Sequence, residues 1–142
     1  MRQVLVFFIA LCVLGMLDFV WLTLLTSSFY KAQFGLLGSA TLTGVGGKWW
    51  AVVATYALMA LGFTLFVFPH LTIEPSLSNP LYGALFGLVV YGVYQGTNYI
   101  VFRDWPLVLV AVDLAWGITV YALTSCGVMG VLRVLRYFGI GL

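Results

Sequence analysis

Four long stretches almost free of charge, residues 4–26, 49–69, 81–102 and 105–132, decide what this chain can become. Each reaches the roughly 20 apolar residues that a helix needs to cross a bilayer. Charged residues make up 7% of the chain and hydrophobic ones 63%, whereas a soluble domain carries about 25% charged residues. That balance excludes an ordinary soluble enzyme and a disordered chain. A net charge of +2 gives no basic patch, so no nucleic-acid partner is expected. The expected fold is all-α: an integral membrane bundle of four transmembrane helices, a single domain over residues 1–142, with the lipid bilayer as its solvent.

The punctuation between the stretches fits this reading. Ser78-Asn79-Pro80 reads as an N-cap followed by proline in the first turn, and Asp104-Trp105-Pro106 repeats the pattern. Pro69 closes the second span. Trp49, Trp50, Trp105 and Tyr137 fall where an aromatic belt belongs. Residues 27–48 form a long first loop expected to lid the bundle, and Arg103-Asp104 turns the third span directly into the fourth. The run after Met1 is too long for a signal peptide and is expected to be retained. Four spans put both termini on one face, side A, expected to be cytoplasmic because Arg133 and Arg136 cluster there. The first loop and the Arg103 turn then lie on side B. Lys31, Lys48, Arg133 and Arg136 read as interface anchors, and the two arginines can also meet anionic headgroups.

Two acids break the apolar pattern. Asp18 in the first span and Asp113 in the fourth both lie about 12 Å below side B, at 1.5 Å per residue. Tyr56 in the second span and Gln95 in the third come to about 10 Å. Tyr91, Tyr94, Gln95 and Asn98 follow i, i+3, i+4, i+7 spacing and form an expected inward stripe. Gly83/Gly87 and Gly92/Gly96 permit close helix approach. Asp18 and Asp113 each precede a tryptophan, Trp21 and Trp116, by three residues. Each indole can donate to a carboxylate and wall a pocket.

The aspartates have two readings: interhelical glue bonded to Tyr56, Gln95 or Asn98, or a ligand or ion pocket. Inserting an aspartate costs roughly 3 kcal/mol, and glue is usually Ser, Thr or Asn. The pocket reading therefore leads, with two close carboxylates sharing one proton. No histidine or cysteine lies in the layer, so zinc and haem lack ligands, and no metal or other cofactor is expected. His70 reads as interfacial. Cys12 and Cys126 read as small apolar packing residues. No hydrolase, zincin or nucleotide-loop motif occurs.

These residues resemble a known family. Leu17-Asp18-Phe-Val-Trp21-Leu, Phe29-Tyr30 followed by Gly35, Gly83-Ala-Leu-Phe-Gly87, Tyr91-Gly-Val-Tyr94-Gln95-Gly-Thr97-Asn98, Trp105-Pro106 and Asp113-Leu-Ala-Trp116-Gly117 are similar to the bacterial inner-membrane family catalogued as domain of unknown function 2177. The resemblance covers nearly the whole chain. It implies a small polytopic protein of the bacterial inner membrane and carries over no activity. The family pattern has an acid where this chain has Gln95, so a third carboxylate is missing here.

The leading functional expectation is binding, and translocation, of a small molecule or lipid, with proton coupling through Asp18 and Asp113. Gln95, Asn98, Tyr91, Tyr94 and Tyr56 would line the site, with Trp21 and Trp116 as walls. The second is an accessory subunit of a larger membrane complex, or a homo-oligomer, contacting partner helices, lipids or pigments. The third is a lipid-modifying enzyme using the two acids as acid and base.

Overall fold

The computed structural model describes residues 2–36 and 48–140. Helix α1 (Arg2–Phe19) runs on into a π-helical turn, Val20–Leu25. Helix α2 covers Ser27–Leu36. Helix α3 (Trp49–Gly62) continues as a π turn, Phe63–Val67, and a 3-10 turn, Phe68–His70. Helices α4 (Ser78–Val101) and α5 (Leu107–Tyr137) form a hairpin. Among the described residues there is no strand. The protein is an all-α membrane bundle. Arg2–Leu25, Trp49–His70 and Leu107–Tyr137 are each long and apolar enough to cross a membrane. Helix α4 is 24 residues long and uncharged, but its glycines, Gln95 and Asn98 leave it outside that set.

Each helix buries one stripe and turns its other apolar residues outward. Val6, Ala10 and Leu14 of α1 meet Ala60 of α3, Phe63 and Val67 of the π turn that follows it, and Val120, Val128, Met129 and Leu132 of α5. With Gly117, Tyr121, Thr124 and Ser125 of α5 also buried, the inward residues keep the three- and four-residue spacing of one helix face. Large apolar residues such as Phe8, Met16, Leu58 and Phe66 stay exposed, as expected where the surroundings are hydrocarbon rather than water. Cys12 and Cys126 are free and exposed. They lie on these outer faces and do not pack in the core.

The α4/α5 hairpin is held at unusually close range. A Cβ on Gly83 would collide with the Tyr121 carbonyl, and one on Gly87 with the Gly117 carbonyl. The ring of Tyr91 fills the space above Gly117. Gly92 touches only the end of Leu114, and Gly96 faces open space. Only the first of the two expected glycine pairs brings helices together.

The helix starts differ from the expected caps. Asn79 does not cap α4. Its side chain accepts from the Thr72 amide at 2.9 Å and donates to the Thr72 carbonyl at 2.8 Å, pinning the preceding loop. Ser76 takes the terminal role, accepting from the Ser78 amide at 3.2 Å. Helix α5 begins after Pro106 with no side-chain cap, so Asp104 lies too far upstream to serve. On side A, Arg133 donates to the Ile73 carbonyl and Arg136 pairs with Glu74 at 3.8 Å. His70 stacks on Tyr82 with ring centres 5.1 Å apart.

Candidate functional site

Asp18 is the last inward residue of regular α1, two positions before the chain loosens into its π turn. In that turn the Thr26 amide and hydroxyl both bond the Trp21 carbonyl, at 2.9 and 2.6 Å. The Thr23 hydroxyl bonds the Phe19 carbonyl. Such wider turns recur at functional sites because they re-aim side chains. Here the turn directs Trp21 across to α5.

The two Asp-x-x-Trp segments are wired crosswise. The Trp116 indole N–H of α5 donates to Asp18 Oδ1 of α1 at 2.6 Å. The Trp21 indole of α1 donates to the Tyr30 hydroxyl at 3.1 Å, and Tyr30 donates in turn to Asp113 Oδ1 of α5. The two indoles lie face to face, 4.3 Å between centres and 2° from parallel. Neither tryptophan serves the aspartate of its own segment. Side chains at i and i+3 share a face, but the partner helix offers each indole a better-aimed acceptor.

Asp113 accepts on both oxygens, Tyr30 at Oδ1 and the Gln95 side-chain amide at Oδ2. Gln95 accepts from the Trp105 indole at 2.8 Å. Its amide is thereby oriented, with the N–H₂ group turned to the acid. The Tyr56 hydroxyl approaches Asp18 from α3. Among the described residues the two carboxylates make no hydrogen bond to each other. Each is met by N–H and O–H donors of its own. A metal ion at either would have to displace those donors.

Tyr30 stands outside the spans. Burial, and then its hydrogen bond to Asp113, push its phenol above the ordinary range. It therefore remains an O–H donor throughout the neutral range.

The acids lie at the closed end of a cavity of about 970 Å³. Helix α3 packs on α1 through Tyr56, Met59 and Ala60, and the cleft lies between the two helices, lined by Gly15, Phe19 and Leu22 on one side and Ala51, Val52 and Thr55 on the other. Phe19, Leu22, Val52 and Met59 form apolar walls, and Lys31 and Lys48 stand at the mouth. Phe19, Leu22 and Val52 keep 62, 43 and 41% of their surface exposed. The cavity is thus a cleft open sideways as well as at its end. Part of the long first loop expected as a lid, residues 37–47, lies outside the described residues; the described part, α2, contributes Tyr30, Lys31 and Phe34 to the wall.

Of the residues singled out in the sequence, Asp18, Asp113, Tyr56, Tyr91 and Trp116 line this cleft. Trp21 and Gln95 stand behind them and orient them. Tyr94 does not join: it is 59% exposed. The buried ridge of α4 follows steps of four through Asn79, Gly83, Gly87, Tyr91 and Gln95, and Tyr94 lies about 100° of helix rotation away from Gln95. Asn98 does not line the cleft, and its side-chain nitrogen is buried and meets no hydrogen-bond partner among the described residues. Tyr30 and Trp105 are functional neighbours that hydropathy alone passes over. Tyr30 falls in the loop, and Trp105 reads as a belt residue until its indole is seen turned inward.

The family described as Predicted membrane protein (DUF2177) matches residues 3–132. The chain belongs to this family. The match spans every helix of the bundle, both aspartates and both tryptophans. No curated protein and no solved structure matches the chain.

Proposed function

We propose that the protein is a four-span bundle, both termini on one face of the bacterial inner membrane, that binds an amphiphilic small molecule or lipid in the cleft between α1 and α3. Asp18 is the acceptor presented to the ligand. Asp113, bonded by Tyr30 and Gln95, borders the cleft beside it and ties α2 and α4 to α5. The observation that carries this reading is an apolar cleft of about 970 Å³ with a carboxylate at its closed end. Pockets for small molecules are largely apolar with a few convergent polar groups, and this volume is at the upper end of their usual range. Asp18 is 4% exposed and nevertheless borders this cleft.

The test is native mass spectrometry of the full chain purified in mild detergent. Gly15 lines the cleft, and a Cβ there meets nothing within 4 Å. Gly15→Phe therefore adds bulk to the cleft at a position where the new Cβ has room. Loss of a co-purifying small molecule in Gly15→Phe and in Asp18→Asn supports the reading. The same complement of bound molecules in wild type and both variants overturns it.

A further inference from the structure

The cleft has an ordered charge pattern. Its inner part is bordered by Asp18 and Asp113, its walls are apolar, and its lining also includes the exposed Lys31 and Lys48. Lys48 immediately precedes α3, whose first turn has no acidic residue and no side-chain cap. The positive end of the α3 dipole therefore adds to the two lysines. The opening between Phe19, Leu22 and Val52 leads sideways into hydrocarbon. An anion fits the mouth, an N–H or O–H donor fits Asp18, and an apolar chain leaves through the side.

We infer that the ligand is a phospholipid whose headgroup carries a hydrogen-bond donor, its phosphate set between Lys31 and Lys48 and its ammonium or hydroxyl group turned in towards Asp18. The inference rests on the cleft being a binding site. Phosphatidylethanolamine and phosphatidylglycerol have the required donor; phosphatidylcholine has the same phosphate and no N–H or O–H. The alternative source of the same chemistry is a soluble phosphate compound. The lateral opening and apolar walls favour the lipid, because a free headgroup would leave that surface uncovered.

The experiment is native mass spectrometry of the full chain in detergent, titrated with each of the three lipids and with glycerophosphoethanolamine, the headgroup without chains. Lys31→Gln/Lys48→Gln, Asp18→Asn and Gly15→Phe are measured beside wild type, each after its size-exclusion profile is matched. Wild type should retain the ethanolamine and glycerol lipids at least tenfold better than the choline lipid. The double lysine variant should lose about tenfold for all three. Asp18→Asn should bring the preference for a headgroup donor down to about onefold. Equal retention of all three lipids by wild type overturns the inference, as does headgroup-fragment binding equal to the intact lipid. Retention unaffected by Gly15→Phe marks lipid on the outer surface and also overturns it. A co-purified molecule lacking phosphate, displaced by Gly15→Phe, overturns the phospholipid assignment while the cleft remains a binding site. No molecule displaced by Gly15→Phe overturns both.

Discussion

At the scale of single residues, the site is a matter of which donor meets which acceptor. Asp113 has both oxygens occupied, so its replacement leaves two donors without their acceptor. Asp113→Asn sets an amide against the Gln95 amide and should cost about 1–3 kcal/mol, read from denaturation in detergent. Tyr30→Phe removes one bond and should cost about 0.5–1.5 kcal/mol. The same pair predicts an alkaline limit. The folded-state phenol of Tyr30 titrates above its unfolded value. Its contribution is complete below the ordinary phenol value, about 10, and is lost as pH rises beyond it. The melting temperature of wild type should fall faster than that of Tyr30→Phe above about pH 10, and the two should run parallel below it. A constant difference at all pH values would show that the Tyr30 proton is not the link. The indole pair has its own signature: Trp116→Phe should abolish the exciton couplet expected of two stacked indoles in circular dichroism and loosen the hold on Asp18.

At the scale of elements, the close approach of α4 and α5 depends on where a glycine stands, not on how many there are. Gly87→Ala places a Cβ against the Gly117 carbonyl, which cannot retreat without moving a helix. The cost should be about 1–3 kcal/mol, as for other overpacked cores. Gly96→Ala meets open space and should leave stability unchanged or raise it, since alanine is the better helix former by about 1 kcal/mol. Thermal unfolding of both variants in one detergent separates them. The spacing of Gly83/Gly87 and Gly92/Gly96 is the same, so nothing in the sequence distinguishes the pairs. The neighbouring helix does, because α5 runs beneath the first pair and reaches only the edge of the second. The tyrosine stripe divides for the same reason. Tyr91 lies over Gly117 on the packed ridge, and Tyr94 falls beside that ridge and stays exposed.

At the scale of the whole molecule, the proposed topology sets α2 and the Arg103 turn on one face of the membrane and the loop before α4 on the other. In a background with Cys12 and Cys126 replaced by alanine, Lys31→Cys and Ser76→Cys should react with an impermeant thiol reagent from opposite sides. Reaction of both from the same side, or of either from both sides, rejects that arrangement. The helical class of the bundle was legible from uncharged run length and the candidate acids from their misplacement, but which tryptophan serves which acid was not. Nor was the cleft, because it arises between α1 and α3, and no local pattern in residues 49–62 announces it.

The sequence by itself determined the solvent and the class. Burying a charge in hydrocarbon is costly, so long uncharged apolar runs admit only helices that satisfy their own backbone. It also marked Asp18 and Asp113 as exceptions that need a reason. Only the tertiary structure decided what those acids meet. Each Asp-x-x-Trp segment was free to close on itself, yet the indole of one serves the aspartate of the other, and Tyr30 reaches in from α2 to complete the second. Hydrogen bonds are short-ranged and directional. Their partners are therefore chosen by the packing of helices that lie far apart in sequence, which neither periodicity nor spacing along one helix can report.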